Sequence, residues 1–363
     1  MSYQNQPTQT ENSFTKRQDY SIHDCAIQDD GILAAVGTTP MVKLNRIFPH
    51  ASFNLYAKLE MLNPGGSIKD RVAVNMLKEA WDRGDIGPSS TIIESSSGNL
   101  GIGLAQACAV LGLRFICVVD PKTTPQNLNL LKAYGAEVDM VSEPDPVTKD
   151  FLTARIQRVK SRLAMIPNSF WCNQYANQDN PGAHHHTFRE ILEQCDGKVD
   201  YLFCATSSCG TLRGCADYIQ QMGLETKIIA ADAKGSIIFG GPRGKRFLPG
   251  HGAGRIPEHF QPGLQSDHVY VSDIESVLSC RRLLKSEGIL AGGSSGAVIH
   301  AIGAVASHLP AESTCVAVLC DRGERYLDMI YDDKWVEQTL GYRINDDYSP
   351  SAVFHRRPML AAA

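Results

Sequence analysis

What the sequence lacks narrows its function first. Across 363 residues there is no apolar run of the roughly 18 positions that a membrane-spanning helix needs. No basic block is long enough to track a nucleic-acid backbone, and the formal net charge is slightly acidic at -4. No Gly-x-Gly-x-x-Gly follows the first strand and no Gly-Lys-Ser/Thr occurs, which argues against a dinucleotide or ATP. The 11 cysteines are odd in number, irregularly spaced and without a Cys-x-x-Cys pair, so neither a disulfide framework nor a zinc site is signalled. Several sit inside apolar runs, as Cys117 does in Phe115-Ile116-Cys117-Val118-Val119, where a thiol acts as a small hydrophobe. A reducing, cytoplasmic compartment is the expectation.

What is present is a strand-turn-helix around one lysine. Leu55-Tyr56-Ala57-Lys58-Leu59 alternates as a strand, and Val72 to Trp81 carries apolar residues at helical spacing. Between them lies Asn63-Pro64-Gly65-Gly66-Ser67-Ile68-Lys69-Asp70-Arg71. Pro64 and the glycine pair break the strand, Ser67 is a candidate N-cap, and Lys69 falls in the first helical turn. The positive end of a helix dipole disfavours a charged amine there, and a neutral amine is what a Schiff-base lysine requires.

The rest of the chain alternates strand and helix. Thr91–Glu94, Phe115–Val119 and Glu137–Val141 read as strands, with helices over Ile102–Leu111 and Gln126–Tyr134 and an amphipathic helix around Phe151, Ile156, Val159 and Leu163. A second series begins at Trp171: strands at Tyr201–Ala205, Lys227–Asp232, Val269–Val271 and Val316–Leu319, with helices over Leu212–Met222, Asp273–Glu287 and after Gly292. This spacing predicts an α/β protein of parallel βαβ units with sheets covered on both faces. The expected division is a polar tail over 1–25, a smaller domain over 56–170, a larger one over 26–55 plus 171–341, and a tail over 342–363.

Three small-residue turns join a strand to a helix: Ser96 to Gly101, Ser207 to Thr211, and Gly292 to Gly296. In an open parallel sheet such turns lie at the carboxyl ends of strands, where ligands bind. Free N–H groups at helix starts make anion sites. One turn alone is as readily a tight connection; three beside a lysine turn imply a ligand with more than one anionic group.

Together Asn63 to Arg71, Ser96-Ser97-Gly98-Asn99, Gly292-Gly293-Ser294-Ser295-Gly296 and Gly323-Glu324-Arg325-Tyr326-Leu327 resemble the cysteine synthase family. These are pyridoxal-phosphate enzymes of fold type II, like the tryptophan synthase β-subunit. The resemblance runs from about Gly31 to Gly341 and implies two open parallel-sheet α/β domains with pyridoxal 5'-phosphate in the cleft between them. It implies that Lys69 holds the cofactor as a Schiff base and that Asn99 hydrogen-bonds its ring hydroxyl. Ser207, Ser208, Cys209, Gly210 and Thr211 would cup its phosphate, and Ser294 would face the pyridine nitrogen. Ser96, Ser97, Gly98 and Gln174 would hold the substrate carboxylate. A hydroxyl at the pyridine nitrogen makes the ring a weaker electron sink than a carboxylate would, favouring loss of a leaving group from Cβ. The implied reaction is β-replacement through an aminoacrylate, by a homodimer acting on small amino acids.

Against cysteine synthase itself the chain differs at the cup, Ser207-Ser208-Cys209-Gly210-Thr211, and at Tyr175, where a phenylalanine is usual. Sulfide needs no hydrogen-bond donors, so these hydroxyls suggest a larger, polar second substrate. With Asp232 to Ser236, Leu248-Pro249-Gly250 and Asp321 to Arg325, the chain resembles a narrower branch, the N-(2-amino-2-carboxyethyl)-L-glutamate synthases of staphyloferrin B and 2,3-diaminopropionate biosynthesis. That branch joins O-phospho-L-serine to L-glutamate and releases phosphate, and it implies that Arg155, Tyr175 and Ser207 bind substrate. The alternative is a cysteine synthase or a cystathionine β-synthase-like enzyme. For Arg155 the competing reading is a solvated helix face, and for Tyr175 a core aromatic. His251 and Cys209 depart from the branch. His184-His185-His186 invites a metal, but adjacent side chains diverge, so no metal site is expected. Arg243, Lys245 and Arg246 form a small basic cluster in a glycine-rich loop, either solvated or attracting an anionic substrate.

Overall fold

The structure is a computed structural model that describes residues 31–344. The tail over 1–25, Cys25 and most of the tail over 342–363 lie outside the described residues.

The elements in chain order are β1 (Met41–Lys43), β2 (Asn54–Leu59), α1 (Lys69–Asp82), β3 (Thr91–Ser95), α2 (Asn99–Leu111), β4 (Arg114–Val119) and α3 (Pro125–Ala133). Next come β5 (Glu137–Met140), α4 (Phe151–Met165), β6 (Ser169–Trp171), α5 (Asp179–Gln194), β7 (Tyr201–Ala205) and α6 (Gly210–Gln221). The chain continues through β8 (Lys227–Ala233), β9 (Asp267–Val271), α7 (Asp273–Glu287), α8 (Gly293–Val305), β10 (Thr314–Leu319) and α9 (Asp333–Leu340).

The strands form two sheets, one four-stranded in the order β5-β4-β3-β6 and one six-stranded in the order β1-β2-β10-β7-β8-β9. All pairings are parallel except β1 with β2. Alternation along each strand sends side chains to opposite faces, so both faces need cover. In the small sheet Ile92 and Cys117 pack with Met76, Leu104 and Leu131 of α1, α2 and α3, while Ile93 and Ile116 pack with Val159 of α4. In the large sheet Leu202 and Val316 meet Phe188 and Leu212 of α5 and α6, whereas Phe203 and Ala317 meet Leu283 and Val298 of α7 and α8.

Sheet membership departs from the expected ranges at one strand. β2, whose residues 56–59 fall in the smaller range, pairs with β10 and belongs to the six-stranded sheet. Its lysine turn therefore hangs from the larger sheet, while α1 packs on the smaller one. β6, whose first two residues close the smaller range, pairs with β3 in the four-stranded sheet, so only Trp171 falls on the other side of the expected boundary. β1 runs antiparallel to β2, because the connection between them reverses direction on the same sheet instead of crossing over it.

Candidate active site

The turns that follow β3, β7 and β10 and those that open α1 and α8 converge on one cleft. Every residue named in advance as part of the site lines it: Lys69, Ser96, Ser97, Gly98, Asn99, Arg155, Gln174, Tyr175, Ser207, Ser208, Cys209, Gly210, Thr211 and Ser294.

Lys69 is the first residue of α1. The cap position is occupied by Ile68, not Ser67, whose Oγ instead accepts the Lys69 N–H at 3.1 Å. Glycine is needed just before it: a Cβ on Gly65 would sit 2.7 Å from Asp70 Oδ1, and Gly66 has φ +88°. The Lys69 amine is pushed toward neutrality by burial, the leading cause, with Cys320, Asp321 and Cys209 opposing it. Burial is therefore the leading cause of the downward shift anticipated from the helix dipole.

Around the amine, Cys209 and Cys320 are held neutral, their thiols pushed up to about 12 by burial. Cys209 adopts φ +62°, a left-handed conformation uncommon outside glycine, and this turns the chain into α6. The first N–H groups of α6 have no partner within the helix and open onto the turn Ser207 to Thr211. Close packing sets the turn from below. A Cβ on Gly210 would lie 2.2 Å from Asn180 Oδ1, and one on Gly214 would lie 2.0 Å from the Pro181 carbonyl oxygen. Beneath Thr211, His184 Nε2 lies 3.2 Å from its Oγ1, and His184 Nδ1 is 3.2 Å from Thr187 Oγ1. The neighbouring His185 ring faces Tyr218, and His186 meets Arg189, so the three histidines diverge.

At the end of β3, Ser96 Oγ accepts N–H groups from Gly101 at 3.0 Å and Gly98 at 3.4 Å, tightening the turn into α2. Gln174 Nε2 donates to the Ser95 carbonyl at 3.4 Å. Glu94 ties the two segments: it accepts from the Ser95 N–H at 2.7 Å and the Gln174 N–H at 3.3 Å. Burial raises its carboxyl to about 7 despite those donors. Sequence reasoning gave Glu94 no role, since a carboxylate at a strand end carries no signal of partners so distant in the chain. Asp120 and Asp321 were missed in the same way.

Arg155 is buried at 8 % exposure, which removes the solvated-face reading. Its Nε forms an ion pair with Asp120 Oδ2 at 3.2 Å, and neither that Nε nor the buried Nη1 has a hydrogen-bond partner among the described residues. Tyr175 is half-buried in the cleft wall with the Arg255 guanidinium 4.7 Å from its ring centroid. Burial raises its hydroxyl, while Arg155, Arg255 and Arg246 pull it down. Ser207 Oγ donates to the Gly252 carbonyl at 3.3 Å, joining the cup to the glycine-rich loop. His251 of that loop is buried, held at about 4 by burial, and is not in the cleft wall.

An amine whose pKa burial lowers, a helix N-terminus beneath which only glycine fits, and a hydroxyl at the start of α8 suit an aldehyde that carries a phosphate and a pyridine ring. Such a site on two open α/β sheets defines a fold type II pyridoxal-phosphate enzyme. The model of the pyridoxal-phosphate dependent enzyme family matches residues 32–321, and the chain belongs to that family.

Among solved structures, the chain is 33% identical to an O-acetylserine dependent cystathionine beta-synthase from Helicobacter pylori, with a TM-score of 0.77 over 83% of this chain and 98% of that one. It is 31% identical to a hydrogen sulfide-producing enzyme from Fusobacterium nucleatum, TM-score 0.76, over 82% and 99% of the two chains. An O-ureido-L-serine synthase is 28% identical with a TM-score of 0.77, over 88% and 98%. Among the described residues no helix is long and apolar enough to cross a membrane.

Proposed function

We propose that this pyridoxal-phosphate enzyme carries out β-replacement on O-phospho-L-serine with L-glutamate as the incoming amine, giving N-(2-amino-2-carboxyethyl)-L-glutamate and phosphate. The bond from Cβ to the phosphate oxygen breaks, the oxygen keeps the electron pair, and a carbon–nitrogen bond forms as the amine loses a proton. The observation that carries this reading is Arg155, a buried guanidinium anchored by Asp120 with Nη1 unmatched in the cleft wall. A sulfide acceptor would leave that charge without use, whereas a phosphate or side-chain carboxylate supplies its partner. Tyr175 and Ser207 add hydroxyls on the same wall.

When bound, the cofactor draws electron density from the substrate Cα and so eases departure of the Cβ group. Lys69 would anchor it through Nζ, Asn99 would meet its ring hydroxyl, Ser207 to Thr211 its phosphate, and Ser294 its ring nitrogen. Lys69 Nζ, whose pKa burial lowers, is suited to accept the Cα proton of the substrate once released from the cofactor. Ser96, Ser97, Gly98 and Gln174 would hold the substrate carboxylate with the backbone donors that open α2. The reading extends to a homodimer in the cytoplasm, a reducing setting that suits the described cysteines, all free thiols.

The test is to supply purified, cofactor-loaded protein with O-phospho-L-serine and L-glutamate, and to weigh the product while assaying phosphate. An adduct mass with stoichiometric phosphate is expected. No adduct, with cysteine formed when sulfide is supplied or cystathionine when homocysteine is, would replace this reading by the one that the similarity to an O-acetylserine dependent cystathionine beta-synthase favours.

A further inference from the structure

The motif Gly323 to Leu327 has no part in the chemistry above, yet it reaches the centre of the site. After β10 a short 3-10 turn, Gly323–Tyr326, buries Arg325 at 9 % exposure. Its Nη1 donates to Asn99 Oδ1, and its Nη2 donates to the Gly65 carbonyl in the lysine turn. On the other side of the same carboxamide, Asn99 Nδ2 donates to Asp321 Oδ2 at 2.8 Å, and the Tyr326 hydroxyl donates to that oxygen too. A guanidinium can only donate and a carboxylate accepts, so the two ends of the carboxamide have one allowed orientation. The remaining Nδ2 proton has only a neutral neighbour, the Tyr326 hydroxyl, which is itself turned to Asp321. The arrangement has been given room: a Cβ on Gly292 would lie 2.1 Å from Asp321 Oδ1, and one on Gly66 would lie 2.9 Å from Arg325 Nη2.

We infer that Arg325 and Asp321 are positioning residues that lock the Asn99 carboxamide so that it turns its N–H side, and not its oxygen, to the cofactor ring. This rests on the reading of Asn99 as the partner of the ring hydroxyl. Without the lock the carboxamide can turn over and present its oxygen to another oxygen, which repels instead of binding.

The test uses full-length protein loaded with pyridoxal 5'-phosphate and the variants Asn99→Ala, Arg325→Lys, Asp321→Asn and the double Asn99→Ala/Arg325→Lys. The absorbance band of the bound cofactor and its dissociation constant are read, with melting of the cofactor-free protein as the control for folding. Arg325→Lys and Asp321→Asn are expected to move the band in the direction that Asn99→Ala moves it. They should weaken cofactor binding roughly tenfold, the scale of one charge-assisted hydrogen bond. The double variant is expected to match Asn99→Ala, because the lock acts only through that side chain. Additive losses in the double variant, or an unmoved band in Arg325→Lys and Asp321→Asn while Asn99→Ala moves it, would overturn the inference and leave the reading of Asn99 intact. An unmoved band in Asn99→Ala itself would overturn the reading of Asn99, and the lock with it. Should Arg325→Lys fail to fold, the near-isosteric Asp321→Asn decides the same question.

Discussion

The unmatched guanidinium nitrogens of Arg155 separate the two chemistries open to this site. Replacing Arg155 with Met keeps most of the buried volume but removes the charge that Asp120 anchors. Losing a charged hydrogen bond costs about 1.5–3 kcal/mol, so kcat/KM with O-phospho-L-serine and L-glutamate should fall roughly ten- to a hundredfold. Initial-rate kinetics with each substrate varied will show which one Arg155 holds, and an unchanged value for both would remove it from the site. Lys69→Ala is a harder lesion. Purified protein should lack the visible band of bound cofactor and lose roughly a thousandfold or more in turnover, because anchor and proton acceptor go together. A coloured, active Lys69→Ala protein would refute the central assignment. Lys69 was legible in the sequence because glycine, proline and helical periodicity surround it locally. Asp321 was not, since it meets Asn99 across 222 positions of chain, and pairing at that range leaves no local pattern.

Most strands and helices were legible to within a few residues, because period-2 and period-3.6 patterns survive wherever a face is buried. β6, α9 and α5 are the exceptions. α5 spans Asp179–Gln194 and carries Pro181 and Gly182 in its first turn, residue types that ordinarily break a helix. Proline is tolerated there because the N–H it lacks would have no partner in the helix. The helix matters to the site because its start lies under the phosphate cup. Gly210→Ala would drive a methyl into Asn180 Oδ1, and Asn180, 1 % exposed, cannot retreat without releasing the Gln174 carbonyl that its Nδ2 holds at 2.6 Å. Overpacking of this kind costs about 1–3 kcal/mol. Thermal melts should show that loss in the cofactor-free protein, and titration should show weaker cofactor binding, since cup and Gln174 segment shift together. A variant with parental melting and affinity would mean that α5 and α6 do not set the cup.

A charge cluster joins the six-stranded sheet to the helix that packs on the four-stranded one. Lys58 on β2, Glu60 just after it, Arg71 on α1 and Glu190 on α5 form two cations and two carboxylates, all buried except the partly exposed Glu190. Arg71 donates to both carboxylates, and Glu60 also accepts from Thr39 Oγ1 at 2.7 Å and from Asn63 Nδ2 at 2.9 Å. The cluster therefore ties β2 to the helix that begins with Lys69. Burial works against the Glu190 charge, but the Arg71 hydrogen bond and the charges of Arg71 and Lys58 outweigh it and hold the carboxyl at about 2, below the usual 4.5. A carboxylate depressed on folding contributes stability that is complete above its unfolded pKa, here about 4.5, and that drains away as pH falls toward 2. Glu190→Gln leaves two buried cations facing one carboxylate, so at neutral pH it should destabilise the protein by about 3–5 kcal/mol. The same variant has no carboxyl to titrate, so its deficit against the parent should shrink as pH is lowered from about 4.5. Chemical denaturation across that range measures both curves. A gap that stays constant with pH would mean the cluster holds the lysine helix by packing alone, whereas a closing gap would assign that task to the Glu190 charge.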